Sequence, residues 1–199
     1  MQKLGFPYTL LLVFILAFVA CKKDNPIPID EAEFPDIPLS FYPYISGSYW
    51  VYEWYKIDSL NNETFLGFRD SVYVAGDSTI NGNLYQIVRG SYFGGGSFED
   101  LLRDSSSYLV NENGLILFSE SNYTDTLRFK NDTMLNIYFT WRMEDIGQSV
   151  TVPAGTFTTL NYKQTARRLN GNFSCGNNIR TEDKQYASGY GLIRETFWF

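Results

Sequence analysis

Three pairs of neighbouring carboxylates, Glu99-Asp100, Glu144-Asp145 and Glu182-Asp183, are the side chains in this chain best suited to do chemistry. Two carboxylates suffice for glycoside hydrolysis, one as acid and the other as base or nucleophile. Neighbours on a strand point to opposite faces, so no adjacent pair is expected to act as a unit, and solvated turn charges are the plainer reading. The chain has no histidine, which removes Ser-His-Asp and Cys-His catalysis. No metal site is expected, because Cys21 and Cys175 are the only thiols. No cofactor is expected either. The glycines of Phe93-Gly94-Gly95-Gly96-Ser97-Phe98 lack the following Lys-Ser/Thr of a phosphate-cradling loop. The chain is therefore read as non-enzymatic, with a carboxylate-based glycan hydrolase as the alternative.

These residues sit in a pattern of period two. In Ser48–Asp58, Trp50, Tyr52 and Trp54 fall on one face and Val51, Glu53 and Tyr55 on the other. Asn81-Gly82 and Asn113-Gly114 mark hairpin turns, and Val152-Pro153-Ala154-Gly155 suits a type I turn between antiparallel strands. Residues 70–90 read as strand, turn, short strand, turn and strand. "TDTLRF" and "MLNIYFTWRME" read as further strands, and the chain closes in a hairpin around Gly189 to Gly191. Only "SFEDLLRDS" reads as a weak helical candidate. Aromatics make up 18% of 199 residues, which favours a β core. About ten strands are expected in one antiparallel β domain over residues 45–199, a sandwich or an open half-barrel. The net charge of -6 argues against nucleic acid as a partner.

The N-terminus is a different kind of sequence. Leu10 to Ala20 is an unbroken apolar block of export-signal length, shorter than the roughly 20 residues of a spanning helix. It ends in Phe18-Val19-Ala20-Cys21, which resembles a bacterial lipobox. Ala20 fits that pattern, Val19 is tolerated, and Phe18 departs from the usual leucine. The resemblance implies a signal peptide over residues 1–20, cleavage between Ala20 and Cys21, and acylation of Cys21 with diacylglycerol and a palmitate-type chain. Two or more chains hold a protein stably on a membrane. An uncleaved helical anchor and a plain secretory signal are the alternatives. The following "CKKDNPIPIDEAEF" is similar to lipoproteins of the Bacteroidetes type. That implies an outer-membrane anchor, on the periplasmic face or the cell surface. Residues 21–44 hold five of the seven prolines and read as a tether of up to roughly 70 Å, with Phe41 to Tyr44 beginning to dock.

"VTVPAGTFTTLNY" and "YASGYGLIRE" resemble a group of small exported β-proteins of unknown function, which implies fold and export but no reaction. Five of twelve aspartates precede Ser or Thr as Asp-Ser/Thr-apolar or Asp-Ser-Thr. This resembles the O-glycosylation acceptor of exported Bacteroidetes proteins, and implies Ser59, Ser71, Ser78, Thr126 and Thr133 as acceptors. The same dipeptides also cap turns through side-chain to backbone hydrogen bonds. Cys175 reads as a solitary thiol, since a bond to Cys21 would require Cys21 to be unlipidated. The terminal "RETFWF" is similar to the last strand of outer-membrane barrels, but Arg69, Arg103, Arg142 and Glu144 favour a soluble core strand. For partners, the membrane is reached through the lipid. The β domain is expected to bind a carbohydrate, a lipid or a protein, with Trp50, Trp54, Trp141 and Trp198 as carbohydrate platforms if exposed. An assembly or lipoprotein-carrier factor is a further alternative.

Overall fold

A computed structural model describes residues 40–92, 95–173 and 176–197. Among the described residues, eleven strands follow in order: β1 (Tyr49–Ile57), β2 (Glu63–Ile80), β3 (Asn83–Ser91), β4 (Ser97–Asp104), β5 (Tyr108–Asn111), β6 (Ile116–Ser119), β7 (Arg128–Asp132), β8 (Ile137–Val152), β9 (Gly155–Arg168), β10 (Ile179–Ala187) and β11 (Gly191–Thr196). They form two antiparallel meanders, a six-stranded sheet β1-β2-β3-β4-β5-β6 and a five-stranded sheet β11-β10-β9-β8-β7. Both sheets curl, and no α-helix occurs among the described residues. The all-β, half-barrel expectation holds, with one strand more than counted.

Local chemistry builds the hairpins. Ile80 pairs with Asn83, leaving Asn81 and Gly82 as a two-residue turn with φ of 50° and 77°, the doubly left-handed form that matches strand twist. Val152 pairs with Gly155, so Pro153 and Ala154 make the β8–β9 turn. Ala187 pairs with Gly191, closing β10 on β11.

Three expectations are corrected. "SFEDLLRDS" is β4, because Phe98, Asp100 and Leu102 alternate with Glu99, Leu101 and Arg103 while pairing with β3. Residues 72–80 are not strand, turn and strand but part of the single 18-residue β2, which absorbs Ala75 as a bulge between Val74 and Gly76. The strand expected from Met134 starts at Ile137, since Asn136 has φ 52° and turns the chain, and the preceding strand starts at Arg128 rather than Thr124.

The sheets meet through aromatic side chains. Phe118 on β6 packs at a tilt against Tyr186 of β10 at 4.4 Å between ring centres and against Phe41 and Tyr42 at 5.8 and 6.0 Å. The Tyr162 hydroxyl donates to the Ile116 carbonyl at 2.8 Å, and the Tyr52 hydroxyl to the Leu192 carbonyl at 2.8 Å. Tyr42 is buried in the core, and the Glu120 carboxylate accepts from the Phe41 amide at 2.9 Å and from the Ser40 hydroxyl at 3.2 Å. Gly90 is required where β3 passes Phe98. A Cβ there would lie 2.6 Å from the Phe98 ring and 2.9 Å from Val72.

Candidate functional site

The three carboxylate pairs divide between two places. Strand alternation splits the first and third pairs as expected. Glu99 lies on the outer face of the six-stranded sheet and pairs with Arg89 at 2.7 Å. Asp100 shares its row with the buried Val74 and Val88, so it faces the space between the sheets. On β10, Glu182 and Lys184 face the same space, in rows with Trp141 and with Tyr162 and Met143. Lys184 pairs with Glu195 of β11 at 2.9 Å.

Burial raises the pKa of both inward carboxyls. For Asp100 the charge of Glu112 adds to it and Lys184 opposes it. For Glu182 the charge of Glu195 adds and Lys184 again opposes. Asp100 is exposed to water, which screens these effects. The arrangement offers two carboxyls that hold protons more readily than usual, one from each sheet, with the charge of Lys184 acting on both. A carboxyl with a raised folded pKa stabilises the fold when protonated and loses that contribution as pH rises through the window above its unfolded pKa. Asp100→Asn and Glu182→Gln are therefore expected to raise the melting temperature at neutral pH, and to leave it nearly unchanged near pH 4, about the free carboxylate pKa. Thermal unfolding of both variants at the two pH values checks this. A lower melting temperature at neutral pH would contradict it.

The second pair departs from alternation. The register shifts between Glu144 and Gln148, and Asp145 takes φ 50°. The bulge turns Asp145 back, so both neighbours reach the Lys163 ammonium, Glu144 at 3.4 Å and Asp145 at 2.6 Å, with Asp183 of β10 at 3.7 Å. The expectation that no adjacent pair shares a target is corrected here. The Asn161 amide, 1% exposed, donates to Asp145 at 3.0 Å and to Asp183 at 2.6 Å. The hydrogen bond from Lys163 lowers the Asp145 pKa, against burial. Burial opposes charge on Lys163, but the bond to Asp145 and the charges of Asp183, Asp145 and Glu144 outweigh it and raise its pKa. Every ionisable side chain whose shift is resolved here is held ionised, so this cluster ties β8, β9 and β10 together and is poorly suited to proton transfer.

Of the tryptophans, Trp141 is buried, with the Arg128 guanidinium 4.3 Å from its ring centre. Trp50 and Trp54 are half-buried, and their indole N–H groups donate to the Tyr190 carbonyl and the Asp70 carboxylate, each at 2.6 Å. Trp198 lies outside the described residues, as do Ala20, Cys21 and Cys175. Ser59, Ser71, Thr126 and Thr133 are exposed, and Ser78 is half-buried. Two of their aspartates cap turns. Asp58 accepts from the amides of Leu60 and Asn62 at 2.8 Å, and Asp132 from Leu135 at 3.0 Å. Lys163 and Lys184 were not singled out in the sequence. A cation spaced against the acidic pairs is a signal only once the β9–β10 register is known.

The fold and its polar clusters define an all-β domain of two curled antiparallel sheets. No protein-family model and no curated protein matches the chain. A solved structure resembles it, the crystal structure of a "putative lipoprotein" from Parabacteroides distasonis, with 14% identity, a TM-score of 0.40, and coverage of 79% of this chain and 90% of that one. At that distance no residue role passes from one to the other.

Proposed function

We propose that this chain is a lipoprotein of the bacterial cell envelope, cleaved after Ala20 and acylated at Cys21, whose β domain is a non-enzymatic binding module held at the outer membrane. The observation that carries the reading is the apolar block Leu10–Ala20 ending at Phe18-Val19-Ala20-Cys21 and followed by the proline-rich segment. Multiple acyl chains on one cysteine suffice for stable attachment, whereas one chain binds marginally. Cys21→Ala is expected to move the protein from the membrane pellet to the soluble fraction, read by immunoblot after fractionation. Membrane retention equal to wild type would refute the anchor.

A second reading, a glycan hydrolase, is favoured by one observation: Asp100 and Glu182 both face the space between the sheets with raised pKa values. A carboxyl whose pKa burial raises is the kind of group that glycoside protonation uses as its acid. Turnover of a glycan that is lost in both Asp100→Asn and Glu182→Gln would favour it over the binding module.

A further inference from the structure

The outer face of the six-stranded sheet carries a trench that neither carboxylate cluster uses. It encloses about 540 Å3 and is lined by Ser71, Tyr73, Arg89, Ser91, Ser97 and Glu99 among others. That falls within the roughly 300–1,000 Å3 of small-molecule sites. The strand register explains its shape. Tyr49, Tyr73, Arg89 and Glu99 are successive cross-strand neighbours on β1 to β4 and form one wall. The next row holds Val51 beside Ser71 and Ser91 beside Ser97, short side chains that make a floor. Beyond it Glu53 and Arg69, ion-paired at 2.7 Å, rise again. The lining residues lie on β2, β3 and β4, two inter-strand steps of about 4.8 Å, so the trench is about 10 Å long, and Tyr49 on β1 continues the Tyr73 wall beyond it.

The lining selects its ligand. Tyr49 is 73% exposed and Tyr73 43%, so both present ring surface to solvent. Aromatic faces pack against the C–H face of a pyranose, and the Tyr49 phenol adds a hydroxyl at the rim while that of Tyr73 is engaged with Arg89. Arg89 and Glu99 satisfy each other at 2.7 Å yet remain half-exposed, which leaves guanidinium N–H donors and carboxylate lone pairs for neighbouring hydroxyls. The Ser91 hydroxyl is already committed to Asp70 at 2.8 Å. Each charge of the trench has its counter-charge inside it, so neither a phosphate nor an ammonium ligand is favoured. With Ser71, Ser91 and Ser97 interrupting Val51 and Phe98, the floor offers no continuous apolar surface for an acyl chain. We propose that this trench binds a neutral oligosaccharide, stacked along Tyr49 and Tyr73 and hydrogen-bonded to Arg89 and Glu99. This deepens the binding-module reading above.

The test uses the full chain in a detergent without a sugar headgroup, titrated calorimetrically with cellohexaose, xylohexaose, mannohexaose, laminarihexaose and chitohexaose. Saturable binding to at least one is expected. Tyr73→Ala should weaken it about tenfold or more, about 1.4 kcal/mol, and Ser71→Trp should block it by filling the floor. Both positions are exposed, and circular dichroism confirms that each variant keeps its fold. No binding to any of the five, or binding that both variants leave intact, overturns the proposal. A hexose mass on Ser71 itself also overturns it, since the trench would then hold the protein's own glycan. Cys21→Ala protein is titrated in parallel. Equal binding there keeps the trench standing even if the lipid anchor fails.

Discussion

Replacing Phe118 with alanine is expected to lower the stability of the domain by about 3–5 kcal/mol. Phe118 is 0% exposed on the four-residue β6 and fills the junction of three separate pieces. These are its own sheet, Tyr186 of the opposite sheet, and the Phe41-Tyr42 segment that enters from the N-terminal side. Each piece is held independently. The Tyr42 hydroxyl donates to Asp104 at 3.3 Å, Phe41 and Ser40 donate to Glu120, and Tyr162 bridges the sheets at Ile116. The walls therefore cannot collapse into the void, and the cavity adds its own cost to the lost transfer energy. For a domain of this size the loss corresponds to a fall in melting temperature on the order of 10 °C. Urea unfolding of Phe118→Ala and Phe118→Leu checks the claim, with leucine losing clearly less. A loss below about 1 kcal/mol for alanine, the size of an ordinary substitution, would contradict this account of the core.

Lys163→Met is expected to cost about 1–2 kcal/mol at neutral pH. Breaking a fully buried ion pair costs more, about 3–5 kcal/mol, but the Lys163 and Asp145 side chains are 19% and 34% exposed, and water screens part of the repulsion left behind. The pH dependence is the sharper readout. With Lys163 present, the folded pKa of Asp145 is lowered. Its contribution is full above the unfolded carboxylate pKa and is lost as pH falls through the folded value. The raised pKa of Lys163 works at the other end. Its contribution is full below the unfolded lysine pKa and is lost as pH rises through the folded value. In the variant, Glu144, Asp145 and Asp183 lack their common cation, so acid now relieves repulsion. The stability gap between wild type and Lys163→Met should therefore narrow from neutral pH to near pH 4, about the free carboxylate pKa. Denaturant midpoints at both values measure it. A gap independent of pH would show that the cluster is not electrostatically coupled.

How far the sequence could be read depended on how local the cause was. Asn81-Gly82 and Pro153-Ala154-Gly155 declare their turns because the backbone conformation is written in the residues that adopt it. β4 does not declare itself. Glu99, Leu101, Leu102 and Arg103 are good helix formers, and only pairing with β3 decides the matter. The bulges at Ala75 and at Asp145 were hidden for the same reason, since an unpaired residue has meaning only against a partner strand. The site was less legible still. Alternation separated Glu99 from Asp100 and Glu182 from Asp183, but two non-local facts bring Asp100, Glu182 and Lys184 to one space. These are the β9–β10 register and the face that each sheet turns inward. Trp50 and Trp54, which sequence composition marks as ligand platforms, instead spend their N–H groups on Tyr190 and Asp70. The exposed aromatic wall is made of tyrosines.

Intact mass spectrometry of the mature protein, extracted from membranes of cells that produce it, tests the central proposal most directly. The expected mature chain begins at Cys21 and carries the added mass of a diacylglyceryl group and an acyl chain, with Met1 to Ala20 gone. A chain that retains those residues, or one that begins at an unmodified Cys21, would contradict it.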